Sequence, residues 1–101
     1  MTFFAFFMIT RIVKMTFTEE NTETFLELFE VVQNKISNFE GCKSVKLLRD
    51  VNNPCMFFTY SKWEDENALN AYRKSALFDD TWTKTKALFS DKPEAWSTEE
   101  Q

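Results

Sequence analysis

The chain has 101 residues, 44% hydrophobic and 28% charged, with one Gly and two Pro; this excludes disordered, collagen-like and low-complexity chains and fits one domain around one core. Sixteen acidic against twelve basic side chains give a net charge of -4, so no basic excess is available to neutralise phosphates and nucleic acid is not an expected partner. No His occurs anywhere, which removes Ser-His-Asp and Cys-His nucleophile pairs, HExxH zinc sites and proximal His ligation of haem.

Residues 2–9 form an apolar run containing four Phe. It is far shorter than the ~20 residues of a membrane span and lacks the basic flank and small-residue cleavage site of a signal peptide, so no membrane partner is expected. Residues 1–7 read as an apolar extension ahead of a domain over residues 8–98, with 99–101 as a frayed tail. Met8 to Phe17 alternates as a strand, with Ile9, Val13, Met15 and Phe17 on one side and Met8, Thr10, Ile12, Lys14 and Thr16 on the other. Thr18 to Thr22 supplies capping residues and two early acids. Phe25, Leu28, Phe29, Val32, Ile36 and Phe39 then recur at helical spacing until Glu40-Gly41, where the only glycine ends the helix.

Lys43 to Asp50 and Cys55 to Trp63 flank the turn Val51-Asn52-Asn53-Pro54 and predict an antiparallel hairpin. Counting across that turn puts Val45 and Leu47 on one face with Met56, Phe58 and Tyr60, and Leu48, Phe57 and Trp63 on the other. Both faces are apolar, and one small chain has little left to cover the second, which predicts a homodimer. Glu64-Asp65-Glu66 opens a helix carrying Ala68, Leu69 and Tyr72. After a break near Ser75, a second helical segment with Asp79 or Asp80 as cap carries Leu77, Phe78, Trp82, Thr85, Leu88 and Phe89 up to Lys92-Pro93. Ala95 to Thr98 is a last short strand. The order β-α-β-β-α-β predicts an α+β, ferredoxin-like antiparallel sheet with its helices on one face.

Cys42 and Cys55 have neither CxxC spacing nor His partners, so no metal site is expected from them. At a rise of about 3.3 Å per residue they lie roughly 25 Å apart along the hairpin, too far for a disulfide. Two reduced thiols fit a cytoplasmic protein.

Twelve Phe, three Trp and two Tyr make an aromatic-rich chain. Tyr60, Trp63, Tyr72, Phe78 and Trp82 gather around the join between the third strand and the second helical region, as an aromatic pocket or simply as core filling. Trp63 sits where a strand meets a helix, and a buried indole N–H there needs an acceptor. Arg11 interrupts the apolar face of the first strand. It calls for a carboxylate or an anionic ligand if it points inward, and is an edge residue or a dimer ion pair if it does not. Tyr60 and Tyr72 are candidate proton donors or phenolate bases, whereas Glu64, Asp65 and Glu66 read as helix-capping charges.

The stretches Met8-Ile-Thr-Arg-Ile-Val-Lys-Met-Thr-Phe17, Phe39-Glu-Gly-Cys42, Phe57-Phe-Thr-Tyr-Ser-Lys-Trp-Glu64 and Lys92-Pro-Glu-Ala-Trp96 resemble antibiotic biosynthesis monooxygenase domains over about residues 8 to 98. The resemblance implies a ferredoxin-like protomer whose sheet packs against that of a second copy, forming a dimeric α+β barrel. It implies a function among cofactor-free oxygenases of phenols, quinols or anthrones, haem-degrading enzymes, or members without activity. The haem degraders carry an Asn, a Trp and a His. The Trp corresponds here to Trp63, while Thr10 and Trp82 stand at the other two positions, so haem degradation is not expected.

Two readings follow. One is a cofactor-independent monooxygenase-like protein acting on a small aromatic molecule, with Trp63, Tyr72 and Arg11 as catalytic residues and Tyr60, Phe78, Trp82 and Thr10 binding substrate. The other is a silent dimer that binds a small ligand or only itself.

Overall fold

The computed structural model describes residues 8–101, so the apolar extension over residues 1–7 lies outside the described residues. Strand β1 (Ile9–Thr16) leads through a short helical turn at Glu19–Asn21 into helix α1 (Thr22–Ser37). Strands β2 (Cys42–Arg49) and β3 (Met56–Trp63), helices α2 (Glu66–Arg73) and α3 (Ala76–Lys86), and strand β4 (Glu94–Glu99) follow. The four strands form one antiparallel sheet in the order β2-β3-β1-β4, the expected ferredoxin-like arrangement.

Alternation along β1 turns Ile9, Arg11, Val13 and Met15 toward the helices, and the inner face continues onto β3 at Phe57, Thr59, Ser61 and Trp63. The register of the hairpin differs from the one expected. Leu48 pairs with Phe58 and Lys46 with Tyr60, so Val45 and Leu47 lie on the inner face with Phe57 and Trp63, while Leu48 shares the outer face with Met56, Phe58 and Tyr60. The connection from Asp50 to Met56 is not a symmetric turn about Asn52-Asn53. The Asp50 carboxylate accepts from the backbone N–H of Asn52 and of Asn53 at 3.0 and 2.8 Å, and Asn53 Oδ1 accepts from the N–H of Cys55 at 3.0 Å. These side-chain bonds set a loop whose pairing is offset by one residue, and a one-residue offset exchanges the two faces. Cys42 and Cys55 are both free thiols.

The core lies between the inner face and the helices. Phe17, Phe57 and Trp63 are each only 1% exposed, and the Phe17 ring stacks on Phe25 at 4.3 Å while meeting Phe57 edge-on at 5.8 Å. Burying each such ring stabilises the fold by about 1.5–3 kcal/mol. Among the described residues the outer face has no such cover: Leu48 is 50% and Trp96 44% exposed, beside half-buried Ile12, Met56, Phe58 and Tyr60. No helix among the described residues is long and apolar enough to cross a membrane.

Two helix boundaries differ from expectation. The α3 cap is Ser75, not Asp79 or Asp80: its Oγ accepts from the N–H of Phe78 at 3.1 Å and donates to the carbonyl of Tyr72 at 2.6 Å, closing α2 and opening α3 with one side chain. Helix α1 stops at Ser37, short of the glycine. Gly41 instead turns the chain into β2 with φ of +86°, and its carbonyl accepts from the N–H of Glu64 at 2.7 Å. A Cβ there collides with the Cβ of Ala68 on α2, so the glycine answers both to conformation and to the close approach of α2. Gly41→Ala is expected to destabilise the fold by about 1–3 kcal/mol, visible in urea unfolding and as a lowered Tm.

Candidate functional site

A cavity of about 380 Å³ opens between the inner face of the sheet, α1, and the pair α2 and α3. Its walls are mostly apolar. On one side α1 contributes residues such as Phe25 and Phe29; on the other runs a chain of aromatic rings, Trp63 stacked on Tyr72 at 4.9 Å, Tyr72 edge-on to Phe78 at 5.3 Å, and Phe78 stacked on Trp82 at 5.9 Å. The rings come together because β3 ends at Trp63 and α2 returns over it, while the break at Ser75 redirects the chain so that Phe78 and Trp82 face the same space.

Trp63, Tyr72, Arg11, Phe78 and Trp82 therefore all line one cavity. Tyr60 and Thr10 do not. They stand on the opposite face of the sheet, Tyr60 paired with Ile12 and Thr10 with Lys62, and the Lys62 ammonium lies 5.9 Å from the centre of the Tyr60 ring.

Few polar groups reach the cavity. The indole N–H of Trp63 donates to Ser61 Oγ at 2.9 Å, so this nearly inaccessible ring has the acceptor it needs and serves as a wall rather than as a donor to a ligand. Arg11 points inward among Val13, Thr59 and Ser61 and donates from Nη1 to Ser97 Oγ at 2.9 Å. Burial, and then the neighbouring charge of Arg73, pull the Arg11 pKa below its ordinary value. Burial pushes the Tyr72 phenol up to about 12, with the nearby Cys42 thiol acting in the same direction. Tyr72 is thus a neutral hydrogen-bond donor over the whole physiological range and not a phenolate base.

Ser61, Ser97, Arg73 and Thr81 are participants that the sequence reading missed. Ser61 lies two residues before Trp63 and so shares its face, a signal available once strand parity is right. Arg73 follows Tyr72 directly but carries no pattern that separates it from a helix-ending cation.

Comparison with known proteins agrees with this architecture. The model of the antibiotic biosynthesis monooxygenase family matches residues 8–84, and the chain belongs to that family. Among solved structures, a conserved protein from Methanosarcina mazei Go1 superposes with a TM-score of 0.90 at 18% identity, covering 95% of each chain. A conserved protein of unknown function from Bacteroides thetaiotaomicron VPI-5482 superposes with a TM-score of 0.85 at 21% identity, over 95% of this chain and 100% of its own. An antibiotic biosynthesis monooxygenase gives 0.86 at 17% identity, over 92% and 98%. At such identities the likeness is one of fold. No curated protein matches the chain.

The Tyr72 shift fixes the sign of a pH effect. Its ordinary value is 10.0 and its folded value about 12, so the folded state holds this proton more tightly than the unfolded chain. The resulting stability is complete below about pH 10 and is lost as pH rises through about 12. Tyr72→Phe is expected to flatten that part of the profile, and urea unfolding of both proteins across the alkaline range measures the difference, about 3 kcal/mol at most.

Proposed function

We propose that the protein is a cofactor-independent monooxygenase-like enzyme for a small aromatic substrate of phenol, quinol or anthrone type, working as a homodimer. The observation that carries this reading is the aromatic-walled cavity of about 380 Å³, large enough for a fused-ring molecule and supplied with very few polar groups. In such a site a phenol or enolisable ketone loses a proton, and its anion passes an electron to dioxygen. The radical pair joins through a carbon–oxygen bond, and the hydroperoxide expels water to leave a carbonyl. A methylene thus becomes a carbonyl, one oxygen atom of O₂ is kept and the other leaves as water, so no external reductant is consumed.

The residues have distinct roles. Trp63, Phe78 and Trp82 hold the flat substrate and exclude water. Tyr72, neutral at working pH, donates a hydrogen bond to the substrate oxygen, and Arg11 stabilises the negative charge that grows there. The outer face of the sheet, carrying Ile12, Leu48, Met56, Phe58, Tyr60 and Trp96, is the surface on which a second subunit closes a dimeric α+β barrel.

Oxygen uptake with an anthrone or quinol, and with no added cofactor, tests the chemistry. Turnover is expected, with Tyr72→Phe lowering kcat roughly hundredfold through loss of one donor. Absence of uptake by a protein that still binds these molecules reduces the reading to a ligand-binding dimer. Assembly is checked separately by native mass spectrometry: a dimer is expected, and Phe58→Lys, which sets a charge in the buried contact, should yield monomers. A monomeric unmodified protein would remove the barrel.

A further inference from the structure

Two guanidinium groups, Arg11 and Arg73, line the same cavity, and among the described residues no Asp or Glu lines it. The ion pairs among the described residues lie elsewhere: Lys14 with Glu94 at 3.7 Å and Lys84 with Asp80 at 3.1 Å. Among the described residues the side-chain partner of Arg11 is the neutral Ser97 hydroxyl, at 2.9 Å. Burial first, and then the charge of Arg73, disfavour the charged form of Arg11, and an anion between the two cations favours it.

We propose that the cavity takes an aromatic carboxylate, its ring system lying against Trp63, Tyr72, Phe78 and Trp82 and its carboxylate held by Arg11 and Arg73. This deepens the aromatic-substrate reading and rests on it. A carboxylate suits the pair because it is planar and singly charged: the guanidinium fork grips it with two parallel hydrogen bonds, and bringing it into apolar walls costs less desolvation than a dianion does. Arg73 is then a specificity-determining residue. It lies exposed at the end of α2, where substitution leaves the core untouched.

The test is isothermal titration of the whole protein, at neutral pH and low salt, with naphthalene carboxylate and with naphthyl methanol, its neutral counterpart of similar shape. The carboxylate is expected to bind roughly tenfold more tightly than the alcohol. Arg73→Gln should remove most of that preference while leaving the alcohol's affinity unchanged, and Arg11→Gln should remove it as well. If Arg11→Gln fails to fold, Arg73→Gln alone decides. Equal affinity of the two probes, or a preference that survives Arg73→Gln, overturns the carboxylate site while the aromatic cavity stands. Binding of neither probe overturns the site together with the aromatic-ligand reading beneath it.

Discussion

The register of the β2–β3 hairpin decides what each side of the sheet can do. Asp50 and Asn53 tie the loop to its own backbone, and the resulting offset assigns Phe57, Thr59, Ser61 and Trp63 to the inner face and Met56, Phe58 and Tyr60 to the outer one. A slip of one residue would exchange the two sets and put Trp63 in solvent. The fully buried Phe57, the Trp63–Ser61 hydrogen bond and the floor of the cavity all follow from this pairing, because β3 lies second in the sheet between β2 and β1 and transmits its parity to both.

The cavity itself is a consequence of unequal side-chain size. At its two ends the inner face carries Phe57 and Trp63, but between them stand Thr59 and Ser61, with Ala95 on β4. Short side chains in the middle of a sheet leave a hollow that helices resting on the larger neighbours cannot enter. Helix α1 is held on one side by Phe25, whose ring reaches the Phe17–Phe57 group, and by Phe29, whose ring packs on Phe25. On the other side, the Ser75 break lets α2 follow Trp63 while α3 turns to carry Phe78 and Trp82 over the hollow.

The order of elements was legible because it depends on periodicity and on punctuation, which are local. Alternation marks β1, the three- and four-residue spacing of Phe25 to Ile36 marks α1, and Asp65 caps α2 as the acidic run implied, its Oδ1 accepting from the N–H of Ala68 at 2.8 Å. The gathering of Trp63, Tyr72, Phe78 and Trp82 was legible for the same reason, being short-range along the chain. Hairpin parity was not, since Asn-Asn-Pro suggests a tight turn and nothing in the residue pattern shows that Asp50 will accept two backbone N–H groups. That single ambiguity placed Tyr60 with Val45 and Leu47, and it hid Ser61. Arg73 was hidden differently: a basic residue at the end of a helix is expected for the helix dipole alone, and only the packing of α2 over Trp63 brings it to the same space as Arg11.

The chemistry of the cavity is as much limited as enabled by what lines it. Arg11 and Tyr72 are donors, and with its phenol pushed up to about 12 Tyr72 does not accept a proton at neutral pH. The chain has no His, and among the described residues no Asp or Glu lines the cavity to serve as a general base. On the proposed reading the substrate gives its proton to bulk solvent as it enters, before the rings exclude water, so it must itself be acidic, and the donors lower its pKa further by stabilising the anion. That selects enolisable or phenolic molecules over alcohols or simple arenes. The same donors strengthen their bonds as charge gathers on oxygen, and they are already in place, so stabilisation grows along the reaction without reorganisation of the protein. The division is between a permanent cation that sets charge and a neutral phenol that sets position, with the flat body of the substrate resting against the aromatic rings.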